Sequence, residues 1–136
     1  MKVLIDTNIL ISAALNPKSV TAKAYFKATE LPYECVICDY CIDEFNRTFR
    51  EKLANRIADA NAFLAMVLIS APIISTPSDD ESVADEAALR DINDWPIIRA
   101  AVKANVDIIL TGDKNFLESK IKKPKMISPA DFLKNK

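Results

Sequence analysis

Two hydrophobic patterns alternate along the chain. The first is a set of short apolar runs, Val3-Leu4-Ile5, Cys35-Val36-Ile37-Cys38, Ala71-Pro72-Ile73-Ile74, Asp107-Ile108-Ile109-Leu110 and Lys125-Met126-Ile127-Ser128. Runs this short, rich in β-branched residues and without polar alternation, are expected of strands buried on both faces of a parallel sheet. Pro72 belongs at the start of its strand, where no ladder donor is needed.

The second pattern has helical spacing. Ile9, Leu10 and Ala13 begin a helix that Asn16-Pro17 breaks, and Ser19 or Thr21 restarts a second carrying Ala24, Tyr25 and Ala28 up to Leu31-Pro32. Asp39 stands where an N-cap is wanted, ahead of a helix burying Ile42, Phe45, Phe49 and Leu53. Arg56 to Ile69 is a further helical stretch with Ile57, Ala60, Leu64 and Leu68 on one face. Asp94 can cap a helix with Pro96 in its first turn and Ile97, Ile98, Ala101 and Val102 inward, ending near Asn105. Ser128-Pro129 opens a last helix reaching Leu133. Strands alternating with helices imply right-handed crossovers and an α/β fold, a three-layer α/β/α sandwich with a central parallel sheet of four to five strands. No repeat or linker interrupts it, so residues 1–136 read as a single domain.

Composition narrows the chemistry. The chain has no His and a single glycine, Gly112. The first absence excludes Ser-His-Asp triads, His bases and His-ligated zinc, and the second excludes Gly-rich phosphate loops. The formal net charge of −1 gives no global field for nucleic acid or membrane. Its distribution is uneven. Residues 76–94, expected to form a loop and a short helix, hold seven acids against Arg90 alone, leaving 17 basic and 12 acidic residues elsewhere. Lys18, Lys23, Lys27, Arg47, Arg50, Lys52, Lys114, Lys120, Lys122, Lys123 and Lys125 are candidates for a phosphate track around an acidic centre, or ordinary solvated helix faces. No apolar run approaches the ~20 residues of a membrane span. Asp6 interrupts the apolar start too early for a signal sequence, so a cytoplasmic protein with no membrane partner is expected.

Ligands of an open parallel sheet bind beyond the carboxyl ends of its strands. Asp6 ends the first strand there, and Asp113 follows the fourth strand after Thr111-Gly112, a pair expected to let the backbone turn sharply. Asp94 opens a helix, where it serves either as a plain cap or at the site. Glu44 lies one turn into the helix after the second strand. Unpaired carboxylates gathered in one cleft repel and raise each other's pKa unless cations neutralise them, and an all-oxygen set favours Mg²⁺ or Mn²⁺. Cys35, Cys38 and Cys41 have metal-like spacing but no fourth thiol or imidazole, so they read as small buried hydrophobes of a reducing compartment. Trp95 either stacks on a base or covers the start of its helix.

Leu4-Ile5-Asp6-Thr7-Asn8-Ile9-Leu10 resembles the opening of PIN-domain nucleases, Leu110-Thr111-Gly112-Asp113-Lys114 their fourth-strand end, and Arg90-Asp91-Ile92-Asn93-Asp94-Trp95-Pro96-Ile97 the segment carrying their third acid. The likeness spans nearly the whole chain and is greatest to the VapC-like toxin components of toxin–antitoxin pairs. It implies metal-dependent cleavage of single-stranded RNA, with Asp6, Glu44, Asp94 and Asp113 as catalytic and metal-holding acids. It also implies Asn8 and Thr111 as supporting polar residues, and Asp91 as an acid behind the third one. A small antitoxin protein and a homodimer are the partners it implies. Cys38-Asp39-Tyr40-Cys41 departs from the family's Ser-Pro helix start. Two rival readings are a receiver-like Mg²⁺-binding signalling domain, whose acids should gather after the first strand and before the third, and a PIN-like module that binds nucleic acid or a partner without cutting.

Overall fold

The computed structural model describes residues 1–77, 89 and 91–134. In chain order the elements are β1 Lys2–Ile5, α1 Thr7–Leu15, α2 Val20–Ala28, β2 Glu34–Cys38, α3 Asp39–Lys52, α4 Ile57–Ser70 and β3 Ile73–Ile74. After a 3-10 turn at Ile92–Asp94 come α5 Trp95–Lys103, β4 Ile108–Leu110, α6 Lys114–Leu117, β5 Lys125–Ile127 and α7 Pro129–Lys134. The expected acidic loop and short helix fall mainly on residues 78–88 and 90, outside the described residues.

The five strands are all parallel, in the order β3-β2-β1-β4-β5. From β1 the chain steps twice one way, to β2 and β3, then crosses back to β4 on the other side of β1. Right-handed crossovers therefore put the helices of the two halves on opposite faces. Val3, Leu4 and Ile5 of β1 and all of β4 are buried, as strands covered on both sides must be. The order reverses between β1 and β4, and open parallel sheets bind their ligands beyond the strand ends at such a switch point.

Helix placement follows the chain's own signals with instructive departures. Ser19 caps α2, its Oγ accepting from the Ala22 N–H at 3.1 Å, and Asn105 takes the left-handed φ of 55° just past α5. Phe45 and Phe49 of α3 meet Phe63 of α4 and Tyr25 of α2 in one aromatic cluster, with centroids 4.8 Å apart for Phe45–Phe49 and 5.4 Å for Tyr25–Phe63. Burying each Phe contributes roughly 1.5–3 kcal/mol.

The face expected of α4 is corrected. Ala60, Phe63 and Val67 point inward, while Ile57 and Leu68 are exposed. A helix apolar on nearly every side offers several candidate stripes, and the aromatic cluster selects the one containing Phe63. In α5 the inward set includes Arg99 rather than Val102, and the Arg99 guanidinium lies over the Trp95 ring at 5.9 Å. Asp39 is the first residue of α3 and not its cap. Cys38 holds the cap position, and the Asp39 carboxylate instead accepts from the Thr76 N–H at 2.9 Å, tying the segment after β3 to α3. β3 itself has two residues, shorter than the run from Ala71 suggested. No single helix among the described residues is long and apolar enough to cross a membrane.

Candidate active site

The register Ile5↔Leu110 places the residues that follow, Asp6 and Thr111, side by side at the carboxyl edge of the sheet. The Asp6 N–H donates to the Leu110 carbonyl at 3.0 Å, extending the ladder one step past β1. Asp6 is buried, and both its carboxylate oxygens are engaged. Oδ1 accepts from the Thr7 N–H at 2.7 Å, capping α1, and Oδ2 accepts from the buried Thr111 hydroxyl, also at 2.7 Å. The Asp113 N–H donates to the same Thr111 oxygen at 3.0 Å, and Asp113 Oδ1 caps α6 by accepting from the Asn115 N–H at 2.8 Å. This hydroxyl therefore shapes the exit from β4. Gly112 does not: it has no left-handed φ, and a Cβ there would meet nothing within 4 Å, which corrects the expectation that the turn needs glycine.

Glu44 reaches this edge from α3. Its Oε1 accepts from the Thr7 hydroxyl at 2.7 Å, and Arg47, one turn on, stands 4.0 Å from Oε2. Asp43, its neighbour, is exposed. Asp94 arrives from the opposite side on the 3-10 turn. Asp91 stabilises that turn, its Oδ1 accepting from the Asn93 N–H at 2.9 Å, and the Tyr40 hydroxyl of α3 donates to the Asn93 carbonyl at 3.0 Å. Asp94 occupies the cap position of α5 without capping it, and its Oδ2 is buried with no hydrogen-bond partner among the described residues. The plain-cap alternative for Asp94 is thereby set aside.

Electrostatics ties these groups into one site. Burial lifts the Asp6 carboxyl to about 6, its hydrogen bonds from Thr111 and Thr7 pull it back, and the charges of Asp113 and Glu44 raise it. Asp94 is pushed up to about 7, first by burial and then by the charges of Asp113, Asp6, Asp91 and Glu44. Glu44 is also raised, mainly by burial, with Thr7 and Arg47 opposing. Four acids from remote parts of the sequence thus feel one another, although among the described residues no three stand together as a preformed metal cage. The buried, unpartnered Asp94 oxygen and the all-oxygen donor set fit a hard divalent cation.

Other expected residues are placed as follows. Asn8 is exposed in the first turn of α1, and Thr7 beside it makes the bond to Glu44. Thr7 escaped sequence reasoning, although a hydroxyl directly after a strand-end acid was a usable signal. Tyr40 escaped it too. Trp95 is half-buried against the core, its Nε1 donating to the Leu89 carbonyl at 3.3 Å, so it covers the start of α5. Lys27 leaves the candidate phosphate track. Its Nζ donates to the Phe132 carbonyl at 2.6 Å and lies over the Phe132 ring, joining α2 to α7. The remaining basic candidates are exposed.

A doubly wound parallel α/β domain with acids converging at the carboxyl edge of its sheet, beside the switch point, is the class that this fold and site define. The PIN domain profile matches residues 2–115, and the chain belongs to that family, whose members are generally nucleases. No curated protein sequence matches the chain. Among solved structures, PAE2754 from Pyrobaculum aerophilum is similar with a TM-score of 0.68 at 18% identity, covering 98% of this chain and 87% of that one. VapBC2 from Rickettsia felis, bound to a DNA fragment from its promoter, is similar with a TM-score of 0.68 at 16% identity, covering 94% and 98%. At such identities the likeness is one of fold.

Proposed function

We propose that this chain is a Mg²⁺- or Mn²⁺-dependent endoribonuclease that cleaves single-stranded RNA and serves as the toxin of a toxin–antitoxin pair. The observation that carries this reading is the buried, unpartnered Asp94 oxygen, whose carboxyl is raised to about 7 first by burial and then by the neighbouring acids. Such a group is unfavourable in a merely structural role. Asp6, Asp94 and Asp113 would hold the cation, with Glu44 direct or through water. When bound, the cation lowers the pKa of a water and offsets charge on the phosphodiester. Thr111 keeps the Asp6 carboxylate aimed across the switch point, Thr7 does the same for Glu44, and Asp91 and Tyr40 fix the turn that presents Asp94. Lys114, exposed beside Asp113, and Arg47, beside Glu44, would meet backbone phosphates in this reading.

The partners in this reading are RNA, a small antitoxin protein covering the site and a second copy of the chain, in the cytoplasm. Family membership and the approach of Asp94 to Asp6 leave the receiver-like alternative without an observation in its favour. Purified protein should cut single-stranded RNA in Mg²⁺ or Mn²⁺ and stop with EDTA or Asp6→Asn. Equal cleavage by Asp6→Asn would end the proposal, and intact RNA under every metal condition would favour the module that binds without cutting.

A further inference from the structure

The Cys-x-x-Cys step from Cys38 to Cys41 has no part in the proposed chemistry, yet the fold brings its two sulfurs together. Cys38 ends β2 and holds the cap position of α3, Cys41 lies in the first turn, and their Sγ atoms share a hydrogen bond at 3.2 Å. Cys35 is not part of this pair. It lies three residues earlier on β2, so its side chain leaves the opposite face of the strand. Both paired thiols are buried and free, and only Asp39 and Tyr40 separate them along the chain. The pair also adjoins the site. The Thr7 hydroxyl that holds Glu44 is beside Cys41, and Glu44 itself follows Cys41 by one helical turn.

We propose that Cys38 and Cys41 are a dithiol–disulfide redox site, oxidised by peroxide, whose closure shifts Glu44 relative to Asp6. The coupling to Glu44 rests on the function proposed above, whereas the thiol chemistry does not. The Cys38 sulfur attacks one peroxide oxygen, the O–O bond breaks, and hydroxide leaves and is protonated to water. The resulting sulfenic acid is attacked by the Cys41 sulfur, which forms the S–S bond and expels the second water with the proton of its own thiol. Two electrons pass from the thiols to the peroxide. Sulfurs at 3.2 Å must close to about 2.05 Å, drawing the first turn of α3 toward the end of β2. Thr7 and Glu44 move with it.

The test treats the reduced full chain with hydrogen peroxide, alkylates it after unfolding and maps the peptides. The expected result is a mass loss of about 2 Da, one alkylated cysteine at Cys35 and a Cys38–Cys41 link. Cys35→Ala should keep this behaviour, while Cys38→Ala and Cys41→Ala should lose it. Mn²⁺ affinity should fall roughly tenfold on oxidation and return with dithiothreitol. Higher oxidation without a link, or pairing through Cys35, overturns the redox site. A mapped disulfide that leaves Mn²⁺ affinity unchanged overturns the coupling. Reduced protein that ignores Mn²⁺ overturns the nuclease reading and the coupling with it, while a mapped link still supports the redox pair.

Discussion

The Thr111 hydroxyl donates to Asp6 Oδ2 at 2.7 Å while accepting from the Asp113 N–H at 3.0 Å. One buried side chain therefore sets both the aim of the first acid and the backbone carrying the fourth. The bond favours the charged form of Asp6 against the burial that lifts its pKa.

Replacing Thr111 by Val keeps the shape and removes that bond. The Asp6 pKa should climb above its present value of about 6, so the acid limb of the pH–rate profile should move to higher pH. Stability at pH 8 should fall by about 1–3 kcal/mol, because a buried carboxylate oxygen loses its donor. Urea titration and pH–rate profiles of the two proteins check both outcomes. An unmoved profile would remove Thr111 from the site.

Folding should depend on pH in a direction opposite to that of most carboxylate-rich proteins. Asp6 titrates at about 6 in the folded chain against an ordinary 3.8, so between those values the folded state binds the extra proton. Stability present at low pH is then lost as pH rises through that window, by up to about 3 kcal/mol for this group. Asp94, raised to about 7, extends the same trend upward. Without metal, the urea midpoint should be higher at pH 5 than at pH 7.5, and Asp6→Asn should reduce the difference to the part that Asp94 contributes. Added Mn²⁺ should stabilise more at pH 7.5 than at pH 5.

Asp94→Asn separates stability from function. Its ionised carboxylate is half-buried among like charges, so the amide should raise the melting temperature of the metal-free protein at pH 8. Under the proposed function, in which Asp94 holds the cation, activity should drop on the order of 100-fold or more. Calorimetry and RNA cleavage read the two effects independently. A variant both less stable and fully active would return Asp94 to a structural role.

The positions legible in the sequence share a physical reason. Val3-Leu4-Ile5 and Ile108-Ile109-Leu110 are short and apolar because their strands are buried on both faces, and Asp6 and Asp113 stand out because each follows such a run. Strand order was not legible, since nothing local says that β4 crosses back beside β1. That crossing alone puts Thr111 against Asp6. Sequence does not fix the inward face of α4, because a helix apolar nearly all round has no distinct stripe. Sequence alone leaves Asp94 between cap and ligand, and its oxygens make no capping bond.

Thr7 and Glu44 should behave as one unit. The 2.7 Å bond from the Thr7 hydroxyl to Glu44 Oε1 is the contact that anchors this carboxylate to α1, with Arg47 more distant at 4.0 Å and exposed. If Glu44 holds the cation as proposed, Thr7→Val should lower Mn²⁺ affinity roughly tenfold, because it removes the group that orients that carboxylate. Glu44→Gln should lower it by at least as much. Combined, the two should lose little more than Glu44→Gln alone, because the hydroxyl acts only through the carboxylate it holds. Titration of Mn²⁺ into the four proteins measures the cycle. Additive losses would mean that Thr7 reaches the cation by another route, and Thr7→Ser, which restores the hydroxyl, should recover most of the affinity if the bond itself is what matters.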